Sequence, residues 1–270
     1  QTKPNPNIGF DAFLTKYNNT MTPEGDLFDG DSFLSGFYGT WKQNLGGVMA
    51  FADLYGLYDV QYREDGEGVQ RGLGVIGARG KGVFGFGLDL EVEGAFQPGT
   101  QCITNPDPMG TGGCTNDSVD VAAYFVDAEL GFGMKDPTVR GFVGFSMASG
   151  DDPDTEENEA YTHMYPTAHK FLGRMDIIGA RTNVQEIRAG VQAKRGIVKG
   201  ALVYHDFTRI QPEAERVGGE VDLSVWVNLT KGLDLELVYG LFLPGEGASN
   251  SDVDPDGVGH FTSITADAKF

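Results

Sequence analysis

Long runs of strictly alternating apolar and polar residues constrain this chain more than any other feature. Residues 221–230 alternate without a break, and after Lys231-Gly232 the pattern resumes over 233–241. Similar alternation occurs over residues 84–93 and again over 260–270. A period of two is that of a β-strand whose two faces meet different environments. The sequence therefore predicts a β-protein whose strands have one apolar and one polar face.

The length of these segments separates two kinds of β-protein. The apolar face is the core in a soluble sandwich but contacts lipid in a membrane barrel. The segments run about 11–17 residues, whereas soluble strands average about 5–6 and tilted spanning strands need about 9–11. A mean hydropathy of −0.24 is too low for a helical membrane protein. We predict one domain, residues 1–270, that is all-β and forms a closed antiparallel transmembrane β-barrel. The terminal Phe270 resembles the last residue of bacterial outer-membrane barrels.

Short and long connections between the segments alternate along the chain. Predicted short turns lie at residues 44–46, 80–82, 135–138, 195–197 and 230–232. Predicted long loops lie at residues 18–32, 63–68, 98–117, 150–183, 210–216 and 244–257. Outer-membrane barrels alternate short periplasmic turns with long extracellular loops in this way. The pattern predicts twelve strands with both termini on the periplasmic side. The strand-like stretch 170–180 would break it, so we assign that stretch to loop 150–183, as a flap or a segment folded into the lumen.

Several short blocks of sequence resemble the alginate-export family of outer-membrane barrels. They are residues 71–74, 93–99, 146–152, 165–170, 173–177, 182–183 and 204–207. The resemblance implies a passive export or uptake channel in the outer membrane of a Gram-negative bacterium. Members of the family are expected to be longer, so the chain is either a compact variant or lacks an N-terminal portion. Because such proteins are made with a signal peptide, we expect that it has been removed before Gln1.

Charged residues on the predicted inward faces define the candidate lumen. They are Arg71, Asp89, Glu91, Glu93, Asp127, Glu129, Arg140, Glu186, Arg188, Asp222, Asp234 and Glu236. The chain has 39 acidic and 20 basic residues, a net charge of −19. A passage lined by one sign of charge concentrates the opposite ion. Cations, small solutes or neutral saccharides are therefore the expected cargo, and alginate, a polyanion, is not. The alternative is that these acids only solvate a polar interior.

The long loop 150–183 carries a second set of candidate residues. These are Asp151, Asp152, His169, Lys170, Arg174 and Asp176. Asp151, Asp152 and Asp154 belong to an acidic run that could supply oxygen ligands to Ca²⁺, although such a run is more often a solvated surface. No other cofactor is expected. Cys102 and Cys114 lie in one predicted loop, and in an oxidising envelope they predict a disulfide.

Other functions receive less support from the sequence. His205 and Asp206 are neighbours on a predicted strand, so their side chains point to opposite faces, and no G-x-S-x-G motif occurs. We expect no enzyme activity. The net negative charge opposes phosphate contacts, so no nucleic-acid partner is expected. The expected partners are outer-membrane lipid and lipopolysaccharide. An alternative function is a non-conducting barrel that acts as a scaffold or sheath for another protein of an envelope complex.

Overall fold

The protein folds as a single antiparallel sheet of twelve strands. The structure is a computed structural model that describes residues 7–18, 31–62, 69–104, 114–135, 138–164, 172–179, 181–250 and 257–268. The strands are β1 Ile8–Asn18, β2 Asp31–Leu45, β3 Val48–Tyr62, β4 Val69–Phe84, β5 Leu88–Thr104, β6 Cys114–Lys135, β7 Thr138–Ala148, β8 Val184–Arg195, β9 Val198–Arg209, β10 Glu215–Thr230, β11 Leu233–Pro244 and β12 Gly259–Ala268. Each strand pairs with its neighbour in sequence. The predicted all-β class and strand number are confirmed.

The two faces of this sheet have opposite chemistry. One face, called here the outer face, exposes large apolar side chains such as Ile76 at 60% and Phe132 at 52%. The other, called the inner face, buries charged side chains such as Glu186 at 1% and Glu220 at 0% exposure. A soluble sandwich buries its apolar face instead. The surface of this sheet is therefore inverted relative to a water-soluble β-protein.

The loop between β7 and β8, residues 150–183, packs onto the inner face through residues that the structure describes. We call it the long loop. Its side chains Tyr161 and Leu172 join a buried apolar cluster with Phe125 of β6, Phe207 of β9 and Phe242 of β11. The loop thus bridges strands that are distant in the order of the sheet.

The predicted turn at residues 80–82 is wrong. β4 continues to Phe84, and the chain reverses at residues 85–87, where Gly87 has a φ of 105°. Lys81 and Arg79 both bind Glu91 across the β4–β5 pair, so the glycine-rich stretch remains strand. The glycines suggested a turn, but these ion pairs require continued pairing.

The predicted bounds of the long connection at 98–117 are also wrong. β5 extends to Thr104, and β6 begins at Cys114. Pro98 has no N–H to donate, which made it a poor candidate for a strand interior. The β4–β5 register steps from Ile76↔Phe96 to Leu73↔Gly99, so Pro98 lies where that ladder is interrupted.

The sheet has two edges in the described part of the chain. β1 and β12 lie at opposite ends of the strand order, and no pairing between them is found among the described residues. No helix formed by these residues has both the length and the apolar character needed to cross a membrane.

Candidate functional site

Ion pairs between neighbouring strands cover the inner face near the short turns. Arg140 of β7 makes a bidentate contact with Asp89 of β5, at 2.6 and 3.0 Å, and also donates to Glu129 of β6 at 2.7 Å. A Cβ added at Gly131 of β6 would stand only 2.3 Å from a guanidinium nitrogen of Arg140. A glycine at 131 therefore allows the arginine to lie flat across three strands.

A second arginine, Arg188 of β8, forms the most buried ion cluster. Its guanidinium donates to both carboxylate oxygens of Asp127, at 2.9 and 3.1 Å, and to Glu186 at 3.1 Å. Nδ1 of His205 lies 2.6 Å from the other oxygen of Glu186. Glu186 is 1% exposed and Arg188 is 9% exposed. Because buried charges are costly unless paired, this cluster depends on every member.

Acidic residues on β10 and β11 contact the long loop directly. The Arg174 N–H donates to Glu220 Oε1 at 2.6 Å and Asp222 Oδ2 at 3.0 Å. The N–H of Met175 donates to Glu220 Oε1 at 2.9 Å. The Arg174 guanidinium pairs with Glu236. The loop is thus held by carboxylates that belong to the strands.

Other hydrogen bonds fix the interior of the long loop at Thr162 and its C-terminal end at Asn183. The Gln97 side chain on β5 accepts from the Thr162 N–H at 2.8 Å and donates to its carbonyl at 3.0 Å. The Asn183 side chain accepts from the N–H groups of Ile210 and Gln211. These contacts, together with the Arg174 contacts, hold the loop against the inner face at several separate points.

The loop also brings a buried arginine to the inner face. Arg181 is 4% exposed, and its guanidinium lies 4.7 Å from the centre of the Phe125 ring. Burial lowers the pKa of Arg181, and the nearby carboxylates of Asp127 and Glu186 act in the opposite direction. Arg174 and Arg181 therefore place two loop cations against an acidic surface.

The burial of His163 predicts that docking of the long loop is sensitive to pH. Burial, and then the charge of Arg181, lower the pKa of His163. A released loop would expose His163 with an ordinary pKa of about 6.5. The released form therefore binds protons more readily, so docking is most stable above about pH 6.5 and weakens as the pH falls through and below that value. We expect limited proteolysis to cut the loop faster at pH 5.5 than at pH 7.5. A His163→Gln variant should lose most of this difference, and an unchanged difference would contradict the assignment.

Gly173 permits the closest approach of the loop to β10. Its φ is +84°, and a Cβ there would stand 2.3 Å from Glu220 Oε1. We expect Gly173→Ala to release the loop, seen as faster proteolysis. Gly179 is a matched control because its φ is also positive, +66°, yet a Cβ there meets nothing within 4 Å. If both variants behave alike, backbone strain and not contact with Glu220 controls docking.

The remaining predicted lumen residues on the strands each contact a different partner. Arg71 pairs with Asp59 at 3.0 Å, and Glu93 accepts from the Tyr55 hydroxyl at 2.8 Å. Asp234 accepts from the Asn228 side chain at 2.6 Å, near the β10–β11 turn.

The predicted loop residues are less well connected to the inner face. His169 and Lys170 lie outside the described residues, and Asp176 is exposed. The carboxylate of Asp151 accepts from the Glu159 N–H, and that of Asp152 accepts from the Asp154 N–H. Within the described part of the chain, no group of three His, Cys, Asp or Glu residues is arranged to hold a metal ion. The Ca²⁺ prediction therefore gains no support from the geometry.

The two cysteines lie on paired strands. Cys102 is near the end of β5, and Cys114 begins β6 in register with Thr104. The side chain of Cys114 lies outside what the structure describes, so the disulfide stays a prediction.

Several residues of the site were missed in the sequence. Asp53 and Asp59 of β3 and Glu220 of β10 lie on the inner face, where Asp59 and Glu220 are almost completely buried. His205 was considered only as a catalytic residue, whereas it lies between Glu186 and Asp222. Period-two alternation through β9 and β10 would have placed His205 and Glu220 on the face of Asp222. No sequence signal identifies Arg181 as buried.

Comparison with known proteins gives one informative match. A family model described as alginate export matches residues 20–215. No curated protein matches the chain. The crystal structure of the beta domain of the Bordetella autotransporter Brka is similar at 15% sequence identity, covering 89% of this chain and 92% of that chain. Its TM-score of 0.37 is too low to support an argument about the present chain.

Proposed function

The chain belongs to the alginate export family, and we propose that it is an outer-membrane channel that passes small solutes by diffusion. The single observation that carries the proposal is the inverted surface of the sheet. Exposed Leu, Ile, Val and Phe side chains on the outer face suit lipid, and the paired charges of the inner face suit water. The cellular location that fits is the outer membrane of a Gram-negative bacterium.

We propose further that the sheet closes into a barrel. In a bilayer the backbone groups of a free strand edge would lack hydrogen-bond partners, at several kcal/mol for each group. β1 and β12 carry apolar residues such as Phe10, Leu14 and Ile264, which are 69, 76 and 76% exposed. Contact with lipid at both edges supports a closed, membrane-embedded form.

The charge of the inner face bears on the cargo. Arg140 contacts two carboxylates, those of Asp89 and Glu129, and Arg188 contacts three, those of Asp127, Glu129 and Glu186. A polyanion such as alginate would meet net repulsion there. Cations or neutral saccharides are the proposed cargo.

A second function is favoured by the docked long loop. Tyr161, Leu172 and Arg181 are each less than 10% exposed, so the loop occupies space on the inner face that a solute would need. A barrel that conducts poorly would suit a scaffold or sheath for an envelope protein. This remains the alternative proposal.

Other expectations accompany the proposal. Outer-membrane lipid and lipopolysaccharide are the proposed contacts of the outer face, and no nucleic-acid binding or enzyme activity is proposed. A disulfide between Cys102 and Cys114 would restrain the β5–β6 connection. Ca²⁺ binding at Asp151, Asp152 and Asp154 has the least support and serves no step of the channel function.

Planar-bilayer recording tests the channel proposal. We expect discrete conductance steps from the purified protein and a reversal potential under a KCl gradient that indicates cation selectivity, because the inner face has excess acid. Anion selectivity would contradict the proposed role of the inner-face acids. A correctly folded but silent protein would favour the scaffold.

A further inference from the structure

One residue of the long loop is held by a row of three carboxylates. The main-chain N–H of Arg174 binds Glu220 and Asp222, and its guanidinium binds Glu236. In the β10–β11 register Asp222 faces Gly240, and Glu236 lies four residues earlier on β11. Arg174 therefore extends along the strands, from the level of Asp222 toward that of Glu236.

The carboxylates of this row still lack hydrogen-bond donors. Glu220 is 0% exposed and Asp222 is 2% exposed. Oε2 of Glu220 and Oδ1 of Asp222 are buried and accept no hydrogen bond from any described residue. The nearest imidazole nitrogen, His205 Nε2, is 3.5 Å from the other oxygen of Asp222. Buried carboxylate oxygens without donors are destabilising, so Glu220 and Asp222 either share a proton between them or take a further N–H donor.

The main chain around Arg174 leaves room for close contact between the long loop and the strands. A Cβ on Gly173 would clash with Glu220, and a Cβ on Gly240 would stand 2.5 Å from Met175 Cγ. Two glycines on opposite sides of the contact thus allow the loop to approach at van der Waals distance. The row thus binds the main chain of Arg174 through Glu220 and Asp222 and its guanidinium through Glu236.

We infer that Glu220, Asp222 and Glu236 form a binding site for the guanidinium or primary ammonium group of an organic cation. Arg174 occupies this site as a tethered counter-ion. Guanidinium carries five N–H donors in a planar fork, and two of the three carboxylates, Glu220 and Asp222, each retain a buried oxygen without a donor. The inference rests on the proposed channel function and specifies its cargo class. Cargo and long loop then compete for the same carboxylates, so binding of the cation releases the loop.

Removal of the tethered cation tests this site. In Arg174→Ala the loop no longer supplies a guanidinium to Glu236, and n-butylguanidinium carries the same head group on an alkyl chain two methylenes longer than the part that alanine lacks. Calorimetry on the detergent-solubilised full chain should detect binding of n-butylguanidinium to this variant. Binding to the wild-type protein should be at least about tenfold weaker, because Arg174 holds the site. Binding to Arg174→Ala/Glu236→Gln should be reduced to a similar degree.

The matched neutral probe is n-butylurea, which has the same shape without the charge. Equal binding of the two probes, or equal binding of n-butylguanidinium to the single and double variants, would overturn the inference. Circular dichroism checks the fold of each variant, and Arg174→Gln replaces Arg174→Ala if the alanine variant does not fold. Calorimetry requires no conduction, so a silent protein that binds the cation contradicts the channel but not the site. A conducting protein that does not bind it contradicts the site alone.

Discussion

Replacement of Arg188 by Met should destabilise the protein by about 3–5 kcal/mol. Met has similar length but no charge, so Asp127 and Glu186 would remain buried without the guanidinium that each now contacts. Among the groups described, Nδ1 of His205 would be the side-chain contact that Glu186 keeps. Urea-induced unfolding of the protein in phospholipid vesicles measures the change.

An exposed ion pair provides the control for this variant. Arg216 binds Asp206 at 2.8 Å, with side chains 46 and 29% exposed. Arg216→Met should change the free energy of unfolding by no more than about 1 kcal/mol. The double variant Arg188→Met/Glu186→Gln should recover part of the loss of Arg188→Met, since one uncompensated charge is gone. Equal losses for Arg188→Met and Arg216→Met would show that the Arg188 cluster is solvated and not buried.

An arginine placed on the outer face should have the second large effect. Leu202 is 48% exposed on the outer face of β9, and we expect Leu202→Arg to destabilise the protein by about 2–4 kcal/mol if it lies near the bilayer midplane. The penalty arises because lipid cannot solvate the guanidinium. The same vesicle-based unfolding experiment measures it.

The neighbouring residue gives a matched control. Val203 lies on the inner face, in register with Asp222 of β10. Val203→Arg would therefore meet acidic neighbours and should be tolerated better than Leu202→Arg. A larger loss for Val203→Arg than for Leu202→Arg would reverse the assignment of the two faces.

Local periodicity made the strands predictable. Alternation over 221–241 places successive residues on opposite faces whatever surrounds the strand, and β10 and β11 follow it. The turn at 80–82 was predicted wrongly because Gly80 and Gly82 suggest flexibility. The ion pairs of Arg79 and Lys81 with Glu91 that keep this stretch in β4 depend on the register of β5.

The contacts of the long loop could not be predicted from local patterns. Arg174 and Glu220 are separated by 46 residues, and Arg174 and Glu236 by 62. Residues 173–176 include Gly, Arg and Asp, a composition that is compatible with a solvated loop as much as with a docked one. Alternation places Glu220 on the face of Asp222, but its burial could not be predicted because the N–H groups that cover it belong to the distant Arg174 and Met175. The sequence indicated which face would be charged, but not that the loop would supply the counter-ions.

Thiol modification during single-channel recording tests most directly whether the inner face lines a conducting path. Cysteines would be introduced at Val203 and, separately, at Leu202, in a Cys102→Ser/Cys114→Ser background. A water-soluble cationic methanethiosulfonate reagent should lower the conductance of Val203→Cys in discrete steps and leave Leu202→Cys unchanged. A conducting Val203→Cys channel that is unaffected, or a block confined to Leu202→Cys, would contradict the proposed orientation and the channel built on it.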